Sequence, residues 1–140
     1  MLIRDIRDAP HARVMDNSLL CELLHPDRET AELAMGYSIA HAVVPAGEAT
    51  LPHRLSAASE VYCILEGEGV MHIDTKSAPV RPGQAVYIPP GAVQWIESTS
   101  SSDLVFLCIV DPRWREEDEE LVSIPCDRLT QAAPGAGETP

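Results

Sequence analysis

The chain has 140 residues, enough for one domain with its own core, and sets 10 basic against 22 acidic side chains for a net charge of −12. The acidity is shared by both halves, so no basic stripe is hidden in the total, and a nucleic-acid backbone or an anionic membrane surface is excluded as a partner. The cysteines Cys21, Cys63, Cys108 and Cys126 lie too far apart for a zinc finger, which predicts reduced, mostly buried thiols in a cytoplasmic protein.

Met1-Leu2-Ile3 runs straight into Arg4-Asp5, so no leader is expected, and no apolar run is long enough to span a bilayer. Residues 1–17 are mixed and polar, broken by Pro10 and Asn17, and read as an arm or edge strand. A strand over 19–24 ends at His25-Pro26-Asp27, and a second over 35–44 ends at Pro45-Ala46-Gly47. Short strand candidates then crowd together at 51–55, 60–65, 70–73, 78–81, 85–88, 93–97 and 104–110. Glu66-Gly67-Glu68-Gly69 is a tight turn where glycine supplies positive φ, and Asp74-Thr75-Lys76-Ser77 reads as another. Regular short strands bounded by Gly, Pro and Ser predict an all-β sandwich or barrel. After Asp111-Pro112, five consecutive acids from Glu116 to Glu120 predict a short acidic surface helix with solvated charges. Residues 131–140 have nothing to pack and are expected to be disordered. The expected organisation is an N-terminal arm with edge strands (1–34), a barrel core (35–112) and an acidic C-terminal extension (113–140).

Two blocks carry a more specific pattern. Gly47 is followed after five residues by His53, then Leu55, Glu60 and Gly67; Gly83 is followed after five residues by Pro89-Pro90-Gly91 and then Gln94. This resembles the paired motifs of the cupin family, G-x5-H-x-H-x(3,4)-E-x6-G and G-x5-P-x-G-x2-H-x3-N. Leu55 stands at the second His, Gln94 at the third and Ser98 at the closing Asn. The resemblance implies an antiparallel jelly-roll barrel (a double-stranded β-helix), a homodimer, and a pocket inside the barrel. Cupins include dioxygenases, decarboxylases, sugar isomerases and epimerases, and metal-free binding modules, so fold alone does not choose a reaction.

Strand alternation predicts which residues face that pocket. With His53 inward, Leu51 and Leu55 follow; with Glu60, Tyr62 and Ile64; with Gln94, Ile96. Cys63 and Trp95 should point away. The expected ligand-binding set is therefore His53, Leu55, Glu60, Tyr62, Gln94 and Ile96, an apolar cavity with a polar cluster suited to a small molecule.

A cupin metal is held by three imidazoles and a carboxylate, as the resemblance implies. Here the surviving donors are His53, Glu60 and Gln94, which predicts a weakly held Zn, Fe or Mn, or no cofactor at all. His41 and Cys108 are open as replacement ligands. Without a metal, a protonated His53 and the Gln94 amide are the groups to offset a buried Glu60 carboxylate. Three functions follow: a small-molecule-binding barrel without chemistry; a metal-dependent oxygenase, decarboxylase or isomerase acting on a small organic acid or sugar; and a metal-free epimerase or isomerase in which His53 takes a proton and Tyr62 returns one.

Overall fold

A computed structural model describes residues 1–124; the expectation for 131–140 falls outside them. The chain-order strands are β1 (Ala12–Arg13), β2 (Leu19–Leu24), β3 (Ser38–Val44), β4 (His53–Leu55), β5 (Ser59–Glu66), β6 (Gly69–Ile73), β7 (Lys76–Val80), β8 (Ala85–Ile88), β9 (Gln94–Ser98), β10 (Leu104–Asp111) and β11 (Glu119–Leu121). They form a six-stranded sheet, β1-β2-β3-β10-β5-β8, facing a five-stranded sheet, β11-β4-β9-β6-β7. Every pairing is antiparallel, and the whole is a jelly-roll barrel.

Alternation makes the core. Along β10, Leu104, Phe106, Cys108 and Val110 are buried and the residues between them are half-buried. The register sets Phe106 beside Ala42 on β3 and Ile64 on β5, and Met71 of β6 beside Ile96 of β9 in the facing sheet. Each large side chain removed from water here contributes about 1.5–3 kcal/mol. Gly67 turns β5 into β6 with φ 80°, and a Cβ there would meet the Asp103 carbonyl oxygen at 2.3 Å, so only glycine fits.

Three local readings change. The 74–77 turn is shorter: Asp74 takes φ 53° and accepts a hydrogen bond from the Val93 N–H at 2.9 Å, and Lys76 already pairs in β7. Leu51 is not inward but 42% exposed, because Pro52 precedes the strand and regular pairing starts only at His53. The acidic run is a single 3-10 turn, Glu116–Asp118, that passes into β11 on the edge of the five-stranded sheet.

Candidate functional site

A cavity of about 320 Å³ lies between the sheets. Its wall is largely apolar, with Leu20, Ala40, Phe106 and Val110 among its residues; His53, Glu60, Tyr62 and Cys108 add polar atoms. Two segments outside the barrel core complete it: Val14, Met15 and Asp16 from the N-terminal arm, and Trp114, Glu116 and Glu119 after β10. The C-terminal segment is pinned by the His25 Nε2–H to the Trp114 carbonyl at 2.7 Å, and by the Trp114 N–H to Ser38 Oγ at 2.9 Å.

Glu60 and Tyr62 share the inward face of β5, and Gln94 begins β9 in the opposite sheet. The Tyr62 hydroxyl donates to Gln94 Oε1 at 2.9 Å, and Gln94 Nε2 donates to Glu60 Oε1 at 2.8 Å. Gln94 is 0% exposed. Burial pushes the Glu60 carboxyl up to about 8 despite the stabilising amide, and the Asp16 and Glu119 carboxylates push the same way. At neutral pH Glu60 is therefore a neutral acid with a proton to donate. Burial likewise raises the Tyr62 phenol and the Cys108 thiol, so neither ionises near neutrality.

His53 opens β4 opposite Gln94. Its Nδ1–H donates to the Leu51 carbonyl at 2.6 Å, which leaves the Nε2 lone pair facing the cavity. Among the described residues Nε2 has no hydrogen-bond partner; Asp16 Oδ2 is 3.6 Å away and Glu119 Oε1 4.0 Å. These three atoms form one compact group of possible metal donors. Burial first, and then the Asp16 charge, raise the Glu119 carboxyl, while His53 and the Trp114 Nε1–H pull it down.

The charge of the lining is lopsided. Among the described residues that line it, Asp16, Glu22, Glu116, Glu119 and the neutral Glu60 face a single cation, Arg28, whose guanidinium is held by Glu22 at 2.6 Å and lies 5.4 Å from the Trp114 ring centre.

Of the residues singled out from the sequence, His53, Glu60 and Tyr62 reach the cavity. Gln94 stands behind the wall as the link between the other two polar groups. Leu55 packs with Ala58, Val110 and Trp114, and Ile96 sits in the main core, so neither lines the cavity. His41 points to the outer face of its sheet and bonds His11, Nδ1 to Nε2 at 2.8 Å; burial lowers its basicity. Cys108 does face the cavity. Trp95 lies outside the pocket, as its parity predicts, stacked on His72 with ring centres 4.5 Å apart. Asp16 and Glu119 escaped the sequence reading. The one local signal is Asp16-Asn17-Ser18, which forms an Asp-capped turn with Asn17 at φ 73°; Glu119-Glu120-Leu121 carries no alternation that marks Glu119.

The cupin domain model matches residues 40–110. The chain is 37% identical over 107 residues to an uncharacterized protein of Methanocaldococcus jannaschii, covering 76% of this chain and 83% of that one. It is 34% identical over 67 residues to an oxalate-binding protein of Thermotoga maritima, covering 48% of this chain and 55% of that one. A crystal structure described as a predicted oxalate decarboxylase of Thermotoga maritima superposes with TM-score 0.66 at 26% identity, over 80% of this chain and 99% of the other. The protein is a β-barrel of the cupin class. It belongs to the cupin family, as a small type-2 domain with altered motif positions.

Those motif positions do not fit the family's metal. Leu55 has no donor atom, both polar atoms of Gln94 are engaged, and Glu60 holds its proton near neutrality. Among the described residues no helix is long and apolar enough to cross a membrane.

Proposed function

We propose that the barrel binds one small, oxygen-rich organic acid in the cavity, with the neutral Glu60 carboxyl donating a hydrogen bond to it and the His53 edge as the second polar contact. The observation that carries this reading is the pairing of a proton-holding carboxyl and an unpartnered imidazole nitrogen in one largely apolar space. The name of the Thermotoga relative, an oxalate-binding protein, supports an acid over a sugar. The relay assigns Tyr62 a positioning role: its hydroxyl proton is directed at Gln94, and Gln94 in turn orients Glu60. This arrangement does not favour Tyr62 as the group that returns a proton to a substrate.

A panel of small hydroxy-, keto- and dicarboxylic acids, screened by thermal shift and confirmed by calorimetry in the presence of divalent ions, tests the reading. One class of acid should raise the melting temperature in proportion to its occupancy. Ala40→Leu, which places a branched side chain in the cavity, should abolish that response with the fold intact. Unchanged binding by Ala40→Leu would place the ligand elsewhere.

The outer face of the six-stranded sheet supports a homodimer. Val43, Val61, Leu107 and Ile109 are only half-buried there, and Leu65 and Tyr87 are 44% and 62% exposed. Light scattering should report twice the chain mass, and Leu107→Glu should halve it. The free cysteines Cys21, Cys63 and Cys108 suit a reducing, cytoplasmic setting.

A further inference from the structure

We infer that Asp16, His53 and Glu119 form a divalent-cation site that keeps the first motif histidine and replaces the other motif positions with carboxylates from the N-terminal arm and β11. Each of the three side chains spends one polar atom on a partner behind it and leaves the other free. Asp16 Oδ1 accepts from the Ser18 N–H at 2.9 Å and the Ser18 hydroxyl at 2.7 Å, leaving Oδ2. Glu119 Oε2 accepts from Trp114 Nε1–H at 3.2 Å, leaving Oε1. His53 Nδ1–H is held by the Leu51 carbonyl, leaving Nε2 on a ring that is 2% exposed. Ligands oriented from behind in this way are characteristic of built metal sites.

The free atoms converge on one point. The 3.6 and 4.0 Å separations from Nε2 are too long for hydrogen bonds. All three free atoms lie within 4.8 Å of one another, against the roughly 3–3.5 Å expected between atoms that each sit about 2.1 Å from a shared ion, so an inward shift of the side chains closes the set. One imidazole and two carboxylates select a hard to borderline ion such as Mn2+ or Zn2+, with its remaining positions open to the cavity. Beside the neutral Glu60, the lining sets four carboxylates against one guanidinium, which draws in a cation. With the ion on His53 Nε2, an organic acid is held through the ion and by the Glu60 carboxyl. This inference rests on the cavity being the ligand site. The ion is what allows an anionic ligand to enter it.

The geometry has a mechanical consequence. Asp16 belongs to the N-terminal arm and Glu119 to β11, so the ion joins the arm and β11 to β4.

The test is calorimetric titration of the chelator-treated full chain with Mn2+ alone, together with hydrogen exchange at residues 14–18 and 119–121. Wild type should bind one equivalent and slow exchange in both segments. Asp16→Asn and Glu119→Gln keep size and shape, and each should weaken binding at least tenfold; Glu60→Gln should stay within threefold of wild type. No binding by folded wild type overturns the site. So does loss in Glu60→Gln with Asp16→Asn and Glu119→Gln unaffected, which would return the ion to the motif positions. The two readings fail separately. Mn2+ binding with no acid response in the panel removes the organic-acid ligand and keeps the ion site. Acid binding that persists in chelator removes the ion's role and keeps the ligand.

Discussion

The 2.6 Å hydrogen bond from His53 Nδ1 to the Leu51 carbonyl sets the chemistry of the cavity, because it decides which ring nitrogen carries the proton. Leu51 faces outward ahead of Pro52, and its carbonyl meets the Nδ1 edge of the ring. The expected tautomer is therefore Nδ1–H. Nitrogen NMR of the metal-free protein at mildly alkaline pH should show Nε2 as the bare, unprotonated nitrogen of His53. A protonated Nε2 would mean the ring is reversed and the inward lone pair does not exist.

Glu60 should make the fold less stable as pH rises. Its carboxyl is moved from 4.5 up to about 8 by burial. Between those values the folded chain keeps a proton that the unfolded chain has released, so stability falls through this window. Below it both states are protonated; above it both are ionised and the loss is complete. The full effect is roughly 3–5 kcal/mol. Glu60→Gln should remove most of the slope between pH 5 and 8 in urea melts, and leave a more stable protein at the upper end.

The Tyr62–Gln94–Glu60 relay should behave as a unit. Gln94→Met keeps the volume but leaves the Tyr62 hydroxyl and the Glu60 oxygen without their partner, at a cost of about 2–4 kcal/mol. Tyr62→Phe alone should cost about 1 kcal/mol, and the double variant less than the two single changes combined. Strict additivity in chemical denaturation would show that the three groups do not share one network.

The acidic run should prove structural at one residue and not at its neighbour. Asp118 accepts the Ala57 N–H at 2.7 Å and the Ala58 N–H at 3.1 Å, and its own carbonyl accepts the Ser56 N–H at 2.9 Å. Asp118→Ala should destabilise the fold by about 1–3 kcal/mol and loosen β11, whereas Glu117→Ala, 74% exposed at its side chain, should change stability by less than about 0.5 kcal/mol. Equal effects would contradict the clamp.

Much of this architecture is legible in the sequence because its signals are local. The glycine, proline and His53–Glu60–Gln94 spacings report turns and strand phase, and they place β4, β5 and β9 with their inward faces nearly complete. Parity fails only where a strand has not yet begun, at Leu51. It also does not say which inward residues meet empty space, so Leu55 and Ile96 lie in packed core and not on the cavity. The carboxylates around His53 were illegible for a different reason. Asp16 and Glu119 come from segments whose return to the barrel depends on long-range contacts: the Leu51 N–H to the Asp16 carbonyl at 2.7 Å, and His25 to Trp114. In a run of five acids, composition alone cannot separate the side chains that reach the cavity, Glu116 and Glu119, from those that stay in water.

Asp16 from the N-terminal arm and Glu119 from β11 complete a polar centre around His53 Nε2. Anomalous diffraction from crystals stripped with chelator and soaked in Mn2+ locates that centre directly. One strong peak is expected within bonding distance of His53 Nε2, Asp16 Oδ2 and Glu119 Oε1. A peak held instead between Glu60 and Gln94, or no peak in the barrel, would contradict it.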